Sequence, residues 1–208
     1  MNNVCFGFKP STIDGSETIF KGSDKIELPD SYTYKPYLPS VVDQGNMEIC
    51  VPCTMAAYLN WRENLKEGVT KDNKISMNEI YSSRTNSGEG MTYKDAFKFL
   101  RHNGVNSKNG KLKISLYGLI QNNLTLKYAI VMNGPCFGAL PVYNSDKDFW
   151  NKKGDDKLMG YHAISIVGYD EDGFFIRNSW GIGFGDKGYT HIKNEDMNKM
   201  IEMWTIIE

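Results

Sequence analysis

The chain has 208 residues, a length that suits one domain or one domain built of two lobes. Forty per cent are hydrophobic, enough for a substantial core, and 24 Lys and Arg against 25 Asp and Glu leave a net charge of −1. That balance speaks against nucleic acid or an anionic membrane as partner, since both favour a basic excess, and no run of about 18 apolar residues suggests a membrane span.

Residues 1–26 are punctuated by Gly7, Pro10, Gly15 and Gly22 and carry no helical period. They read as a short pro-segment, a surface arm or strands packed on the domain. No charged stretch leads into an apolar one after Met1, so a secretory leader is not expected. From Leu28 to Gly45 the three prolines Pro29, Pro36 and Pro39 impose extended backbone.

A helix is expected over residues 50–66, with Pro52 in its first turn and Gly68 as its stop. A second begins near Ser76, where Ser76 and Glu79 have the spacing of a capping box. A third runs over residues 92–102 with Ala96, Phe97 and Leu100 in period, and a fourth over residues 124–132, stopped by Gly134-Pro135. Thereafter the pattern changes. Residues 136–142, 162–169, 173–177, 189–193 and 203–207 read as short strands rich in Val, Ile, Phe and Tyr. Helices first and strands second imply an α+β protein of two segregated lobes with a cleft between them.

Cys50 follows the extended, glycine-containing run Asp43-Gln44-Gly45 and opens the first helix. A helix N-terminus stabilises a thiolate, and its N–H groups can hold an oxyanion. Gln44, on the approaching loop, can supply a second donor. As a lone residue Cys50 could equally be a small buried hydrophobe. Cys50-Val-Pro-Cys53 is also a C-x-x-C, which opens a redox reading, but the residues before it read as loop rather than as a buried strand. No second pair of Cys or His is spaced for zinc, so no metal is expected. Four scattered cysteines are too few for a disulfide scaffold, and a reducing, intracellular compartment is expected.

Of three histidines, His162 stands at the mouth of an apolar strand, His102 near a helix end, and His191 in an alternating strand. Another strand delivers Asn178, followed by Ser179-Trp180-Gly181. An asparagine oxygen can accept one imidazole N–H and so orient the other ring nitrogen toward a thiol, while Trp180 covers the bond.

At this point the sequence resembles the papain-like cysteine peptidases. Residues 28–45 look like the start of the mature enzyme, and residues 160–169 resemble the histidine strand. The run Arg177-Asn178-Ser-Trp180-Gly181-Ile-Gly183-Phe-Gly185 resembles the asparagine segment almost residue for residue. The resemblance implies a papain-like two-lobed fold: an N-terminal extension over 1–27 and a peptidase domain over 28–208, with a helical lobe over about 45–132 and a β lobe over about 133–208. It implies a cysteine endopeptidase working through a Cys50–His162 thiolate–imidazolium pair and an acyl-enzyme, with Asn178 orienting His162 and Gln44 in the oxyanion hole. Residues 86–92 lie where the family has a glycine-rich strip that pairs with extended substrate, which makes Gly88, Gly90 and Met91, with Trp180, substrate-binding candidates. A plain loop is the other reading of that segment. Expected partners are a polypeptide substrate and, as restraint, a peptide-like inhibitor or the chain's own N-terminal segment. No cofactor is expected.

Two departures stand out. The family carries small residues before its nucleophile, whereas this chain has Glu48 and Ile49. The family's disulfide near the nucleophile and its long pro-domain also look absent, which suits an intracellular or virion-associated member. Two other functions fit parts of the pattern: a catalytically inactive papain-like binding or structural protein, and a C-x-x-C thiol–disulfide oxidoreductase, which would depend on Cys53 and little on Asn178.

Overall fold

The computed structural model describes residues 6–68, 72, 75–108 and 110–208. In chain order the main elements are β1 (Tyr32–Thr33), α1 (Cys50–Glu67), α2 (Met77–Tyr81), α3 (Tyr93–His102), β2 (Val105–Ser107), β3 (Gly110–Leu112), β4 (Leu116–Leu119), α4 (Asn123–Asn133), β5 (Cys136–Val142), β6 (Gly160–Tyr169), β7 (Gly173–Arg177), β8 (Tyr189–Lys193) and β9 (Glu202–Ile207).

The four helices form where caps and periods place them. Cys50 is the first residue of α1, and Gly68, in the left-handed region at φ 65°, closes it by donating to the Asn64 carbonyl. The Ser76 side chain accepts from the Glu79 N–H, one half of the expected capping box. The Glu79 carboxylate does not complete the other half; it accepts from the backbone and side chain of Asn106. Thr92 and Asn122 cap α3 and α4 in the same way. From Cys50 to Trp61 every residue of α1 is buried. A helix buried on all sides has no need of a polar face, so an apolar stripe understates how much of it is covered.

The strands make a seven-stranded antiparallel sheet in the order β4-β9-β5-β6-β7-β8, with β1 paired to β6. Three of its features escape sequence patterning. Residues 116–119 join the sheet beside the last strand, β2 and β3 form a separate hairpin, and β1 is only two residues long. The helices α1 and α4 pack on β6, and one core runs through both lobes, from Met55, Tyr58 and Leu59 to Phe137, Ile164, Ile176 and Trp204. This is the papain-like two-lobed α+β architecture, helices on one side and antiparallel sheet on the other.

The N-terminal arm is more ordered than its composition suggests. Phe8 is buried, with its ring 5.3 Å from that of Tyr93. Ser11 donates from both N and Oγ to the Glu202 carboxylate, at 3.0 and 2.8 Å. Lys94 bonds the Thr12 carbonyl and the Glu17 carboxylate, and residues 18–20 exchange backbone bonds with Leu119. Local propensity predicts none of this, because every partner is distant in sequence. Cys5 lies outside the described residues.

Candidate active site

Strand β6 carries His162 in register with Leu140 of β5, and β7 ends at Arg177, immediately before Asn178. His162 Nε2 donates to Asn178 Oδ1 at 2.6 Å. In the neutral ring this bond places the proton on Nε2 and leaves the lone pair on Nδ1. Among the described residues Nδ1 meets no hydrogen-bond partner, and neither does Asn178 Nδ2. The Trp180 ring stacks on the imidazole, 4.5 Å between centroids at 30°, and Phe149 meets both rings. His162 has no exposed surface, and burial pushes its imidazole down to about 4, against the smaller upward pull of the Asn178 bond.

Cys50 is likewise closed to solvent, at the start of the helix that packs on β6. The helix carries no acidic residue in its first turn, so nothing there opposes the N-terminal dipole. Gln44 is buried and doubly tied to the asparagine segment. Its backbone N–H donates to the Ser179 carbonyl at 2.9 Å, and its Oε1 accepts from Ser179 Oγ at 2.6 Å. Its Nε2 donates to the Met47 carbonyl at 2.8 Å. The structure thus joins His162 to Asn178 directly and Gln44 to the asparagine segment through Ser179, and Cys50 opens the helix that packs on β6.

Two residues with positioning roles were not singled out in the sequence. Ser179 fixes the Gln44 amide, as above. Arg177, also buried, donates to the Pro39 carbonyl at 2.8 Å, the Ser40 carbonyl at 2.7 Å and the Tyr189 hydroxyl at 2.9 Å. It thereby ties the proline-rich approach segment to the β lobe. Both lie in the same Arg-Asn-Ser-Trp run as Asn178; a cation followed by a hydroxyl beside an orienting asparagine was the available signal.

The other candidates divide. Trp180 lies on His162. Met91 and Gly90 form an edge that is already paired: Met91 N–H donates to the Gly7 carbonyl at 2.8 Å, and Lys9 N–H donates to the Met91 carbonyl at 3.0 Å. Gly90, at φ 80°, has the Gly7 carbonyl oxygen 2.8 Å from where a Cβ would stand. Gly88 lies under the Lys9 side chain. On the opposite wall Phe8 N–H donates to the carbonyl of Tyr161, the residue before His162. The arm thus runs between the Met91 edge and the histidine strand.

His102 caps off α3, its carbonyl accepting from Lys113, and His191 pairs with Asp170 at 2.9 Å; both are remote from this cluster. Cys53 packs on Met77, Sγ to Sδ 3.5 Å, and burial pushes its thiol up to about 12, so it holds almost no thiolate at neutral pH. That disfavours a redox pair. Among the described residues no group of three or more His, Cys, Asp or Glu could hold a metal ion.

Residues 107–206 match the family model described as papain family cysteine protease, a stretch that holds His162, Asn178 and Trp180. Over that stretch the sequence is similar to the papain family of cysteine proteases, and the fold is papain-like. Among curated relatives, mouse cathepsin S is 26% identical over 216 residues, covering 86% of this chain and 63% of its own length. The chain therefore spans less than two thirds of that relative. Xylellain, a cysteine protease from Xylella fastidiosa, superposes with a TM-score of 0.80 at 22% identity, over 97% of this chain and 95% of the other. Procathepsin B S9 from Trypanosoma congolense superposes with a TM-score of 0.79 at 17% identity, over 97% and 87%. At these identities the two structures speak for the fold.

Proposed function

We propose that the protein is a cysteine endopeptidase in which Cys50 attacks the peptide carbonyl and His162 takes and returns the proton. The observation that carries this is the 2.6 Å bond from His162 to Asn178 beneath Trp180, which leaves Nδ1 as the ring nitrogen available for a thiol. The N–H at the start of α1 and the Gln44 amide are suited to the oxyanion of the tetrahedral intermediate. Collapse of that intermediate releases the amine, protonated by His162, and leaves an acyl-Cys50 thioester. Water then attacks the thioester with His162 as base. The reacting form is the thiolate–imidazolium pair. In the covered site, burial favours a neutral imidazole. Opening the site to water or substrate dipoles raises the imidazole toward its ordinary range.

The arm is the restraint in this proposal. Extended peptide would add to the Gly90–Met91 edge and present an N–H to the Tyr161 carbonyl, and both places are held by residues 7–9. Turnover then requires the arm to be moved or cut. The unbridged thiols of Cys53 and Cys136 suit an intracellular or virion-associated setting.

A peptidyl epoxide or vinyl sulfone followed by mass mapping tests the reading. The adduct is expected on Cys50 and absent from His162→Ala. An adduct confined to Cys53 would overturn the assignment.

A further inference from the structure

A cavity of about 220 Å³ lies between α1 and the β lobe, with Ala57 and Asn60 of α1, Ser165 of β6, and Asn178 among its walls. Two buried amide side chains meet it. Asn178, 3% exposed, has its Oδ1 fully engaged: it accepts from His162 Nε2 at 2.6 Å and from the Ser179 N–H at 2.7 Å. Those two donors settle which way round the amide sits. Its Nδ2 is left with no hydrogen-bond partner among the described residues. Asn60, 6% exposed, is the converse case. Its Nδ2 donates to the Ala56 carbonyl at 2.8 Å, one turn back along the helix, and its Oδ1 has no partner.

One residue thus brings a free donor to the cavity and the other a free acceptor. They do not bond each other. A buried amide N–H or C=O left unmade costs about 1–3 kcal/mol, so two in one cavity call for a third party. A polar cavity takes up a water once it offers roughly 10–15 Å³ of room, and this one offers far more. Water is the smallest molecule that accepts from an amide N–H and donates to an amide carbonyl at the same time.

We propose that ordered water in this cavity joins Asn178 Nδ2 to Asn60 Oδ1, and that Asn60 is thereby a positioning residue for the bond between Asn178 and His162. The bridge itself follows from the cavity and the two amides; its effect on turnover rests on the peptidase reading. An Asn178 amide turned over would set Nδ2, a donor, against His162 Nε2. The imidazole would then carry its proton on Nδ1, the nitrogen that has to take the proton of the Cys50 thiol. The Ser179 N–H resists that turn at the oxygen end of the amide, and the water resists it at the nitrogen end. Since Asn60 lies on the helix that Cys50 opens, the bridge also ties the nucleophile's helix to the asparagine segment.

Two measurements on the full-length protein test this. A high-resolution crystal structure is expected to show a water within hydrogen-bonding distance of Asn178 Nδ2, linked to Asn60 Oδ1 directly or through one further water. An Asn178 Nδ2 without ordered water overturns the bridge, whatever the variants do. Proton–nitrogen NMR of isotope-labelled histidine then reads the tautomer, in a Cys50→Ala background so that no thiolate holds the ring charged. His162 is expected as the Nε2–H form. Asn60→Leu removes the acceptor, and Ala57→Leu fills the cavity while leaving Asn60 in place. Each is expected to move about half or more of His162 to the Nδ1–H form and, with Cys50 present, to slow its alkylation by a peptidyl vinyl sulfone about twofold or more. A merely structural Asn60 would lower the melting temperature and leave the tautomer alone, so His162 held wholly as Nε2–H in either folded variant overturns the positioning role. A tautomer that follows Asn60 in a protein whose Cys50 forms no adduct overturns the peptidase reading and leaves the bridge standing.

Discussion

The two sides of the histidine are treated differently by the fold. Beside Trp180 runs a groove of about 730 Å³, walled by Asp43, Gly45, Asn46, Gly181 and Ile182, and left unfilled by the chain. On the Met91 side the corresponding stretch of cleft is filled by Phe6 to Lys9, hydrogen-bonded along both walls. Both sides are built on the same pair of lobes, so the contrast lies in the occupant. Under the proposed reading it teaches that the restraint is directional: one half of the substrate path is left open, and the other is held by residues 6–9 of the same chain.

The most severe way to break the comparison removes the chemistry on which both sides converge. Cys50→Ala and His162→Ala are each expected to lower turnover of a peptide substrate by at least about 10³-fold, while His102→Ala and His191→Ala leave kcat within a factor of a few. A loss of turnover from either of the latter would reassign the base. Gln44→Ala is expected to lower kcat by about 10²–10³-fold with a smaller change in KM, because its donor meets charge that develops only in the transition state. An effect on KM alone would move Gln44 to substrate binding.

Gly7→Ala sharpens the comparison from the filled side. Its Cβ would strike the Glu48 backbone, so the inner arm is expected to lift and Cys50 alkylation to accelerate by about tenfold or more. Phe8 and Ser11 still anchor the rest. An unchanged alkylation rate would show that the arm does not control access. Ser179→Ala is expected to lower kcat by about tenfold and stability by about 1 kcal/mol, read by peptide kinetics and thermal melting, since it removes the bond to Gln44 Oε1 and leaves the amide held only through Nε2 and Met47 among the bonds described above.

A further effect is in the pH dependence of stability. His162 is held down to about 4 in the folded chain and takes a proton near 6.5 when unfolded. Its contribution is therefore complete above about 6.5 and lost as pH falls toward 4, on the order of 3 kcal/mol in total. Melting curves of wild type and His162→Gln at pH 7 and pH 4.5 isolate it. Wild type should lose more stability than the variant over that interval, and equal losses would show an imidazole that protonates in place.

The helices and the long strands were legible because their signals are local. Ser76, Thr92 and Gly68 act on residues three or four positions away, and the apolar runs of residues 136–142 and 162–169, buried throughout, need only their own segments to be read as strands. The candidate site Cys50, His162 and Asn178 was read from a pattern of residue types, and the structure adds the bond from His162 to Asn178 and the stacking of Trp180 on His162. What was not legible depends on partners far away in sequence. The arm reads as loose because Phe8 finds Tyr93, and Ser11 finds Glu202, only in the folded chain. Strand β4 has too little alternation of its own and exists because β9 lies beside it. Glu48 looks like an obstruction until the glycine that passes over it is seen.

The Ser11–Glu202 contact spans 191 residues, and β9, which carries Glu202, is the last strand made. A loop of that length closes late, after the shorter-range pairings have formed. During synthesis the arm emerges before Cys50 and His162, and the carboxylate that fixes the arm comes after both. The half-made chain therefore has neither a completed sheet nor a seated arm, and the strand that completes one seats the other. Completion of the sheet by β9 and seating of the arm are thereby coupled.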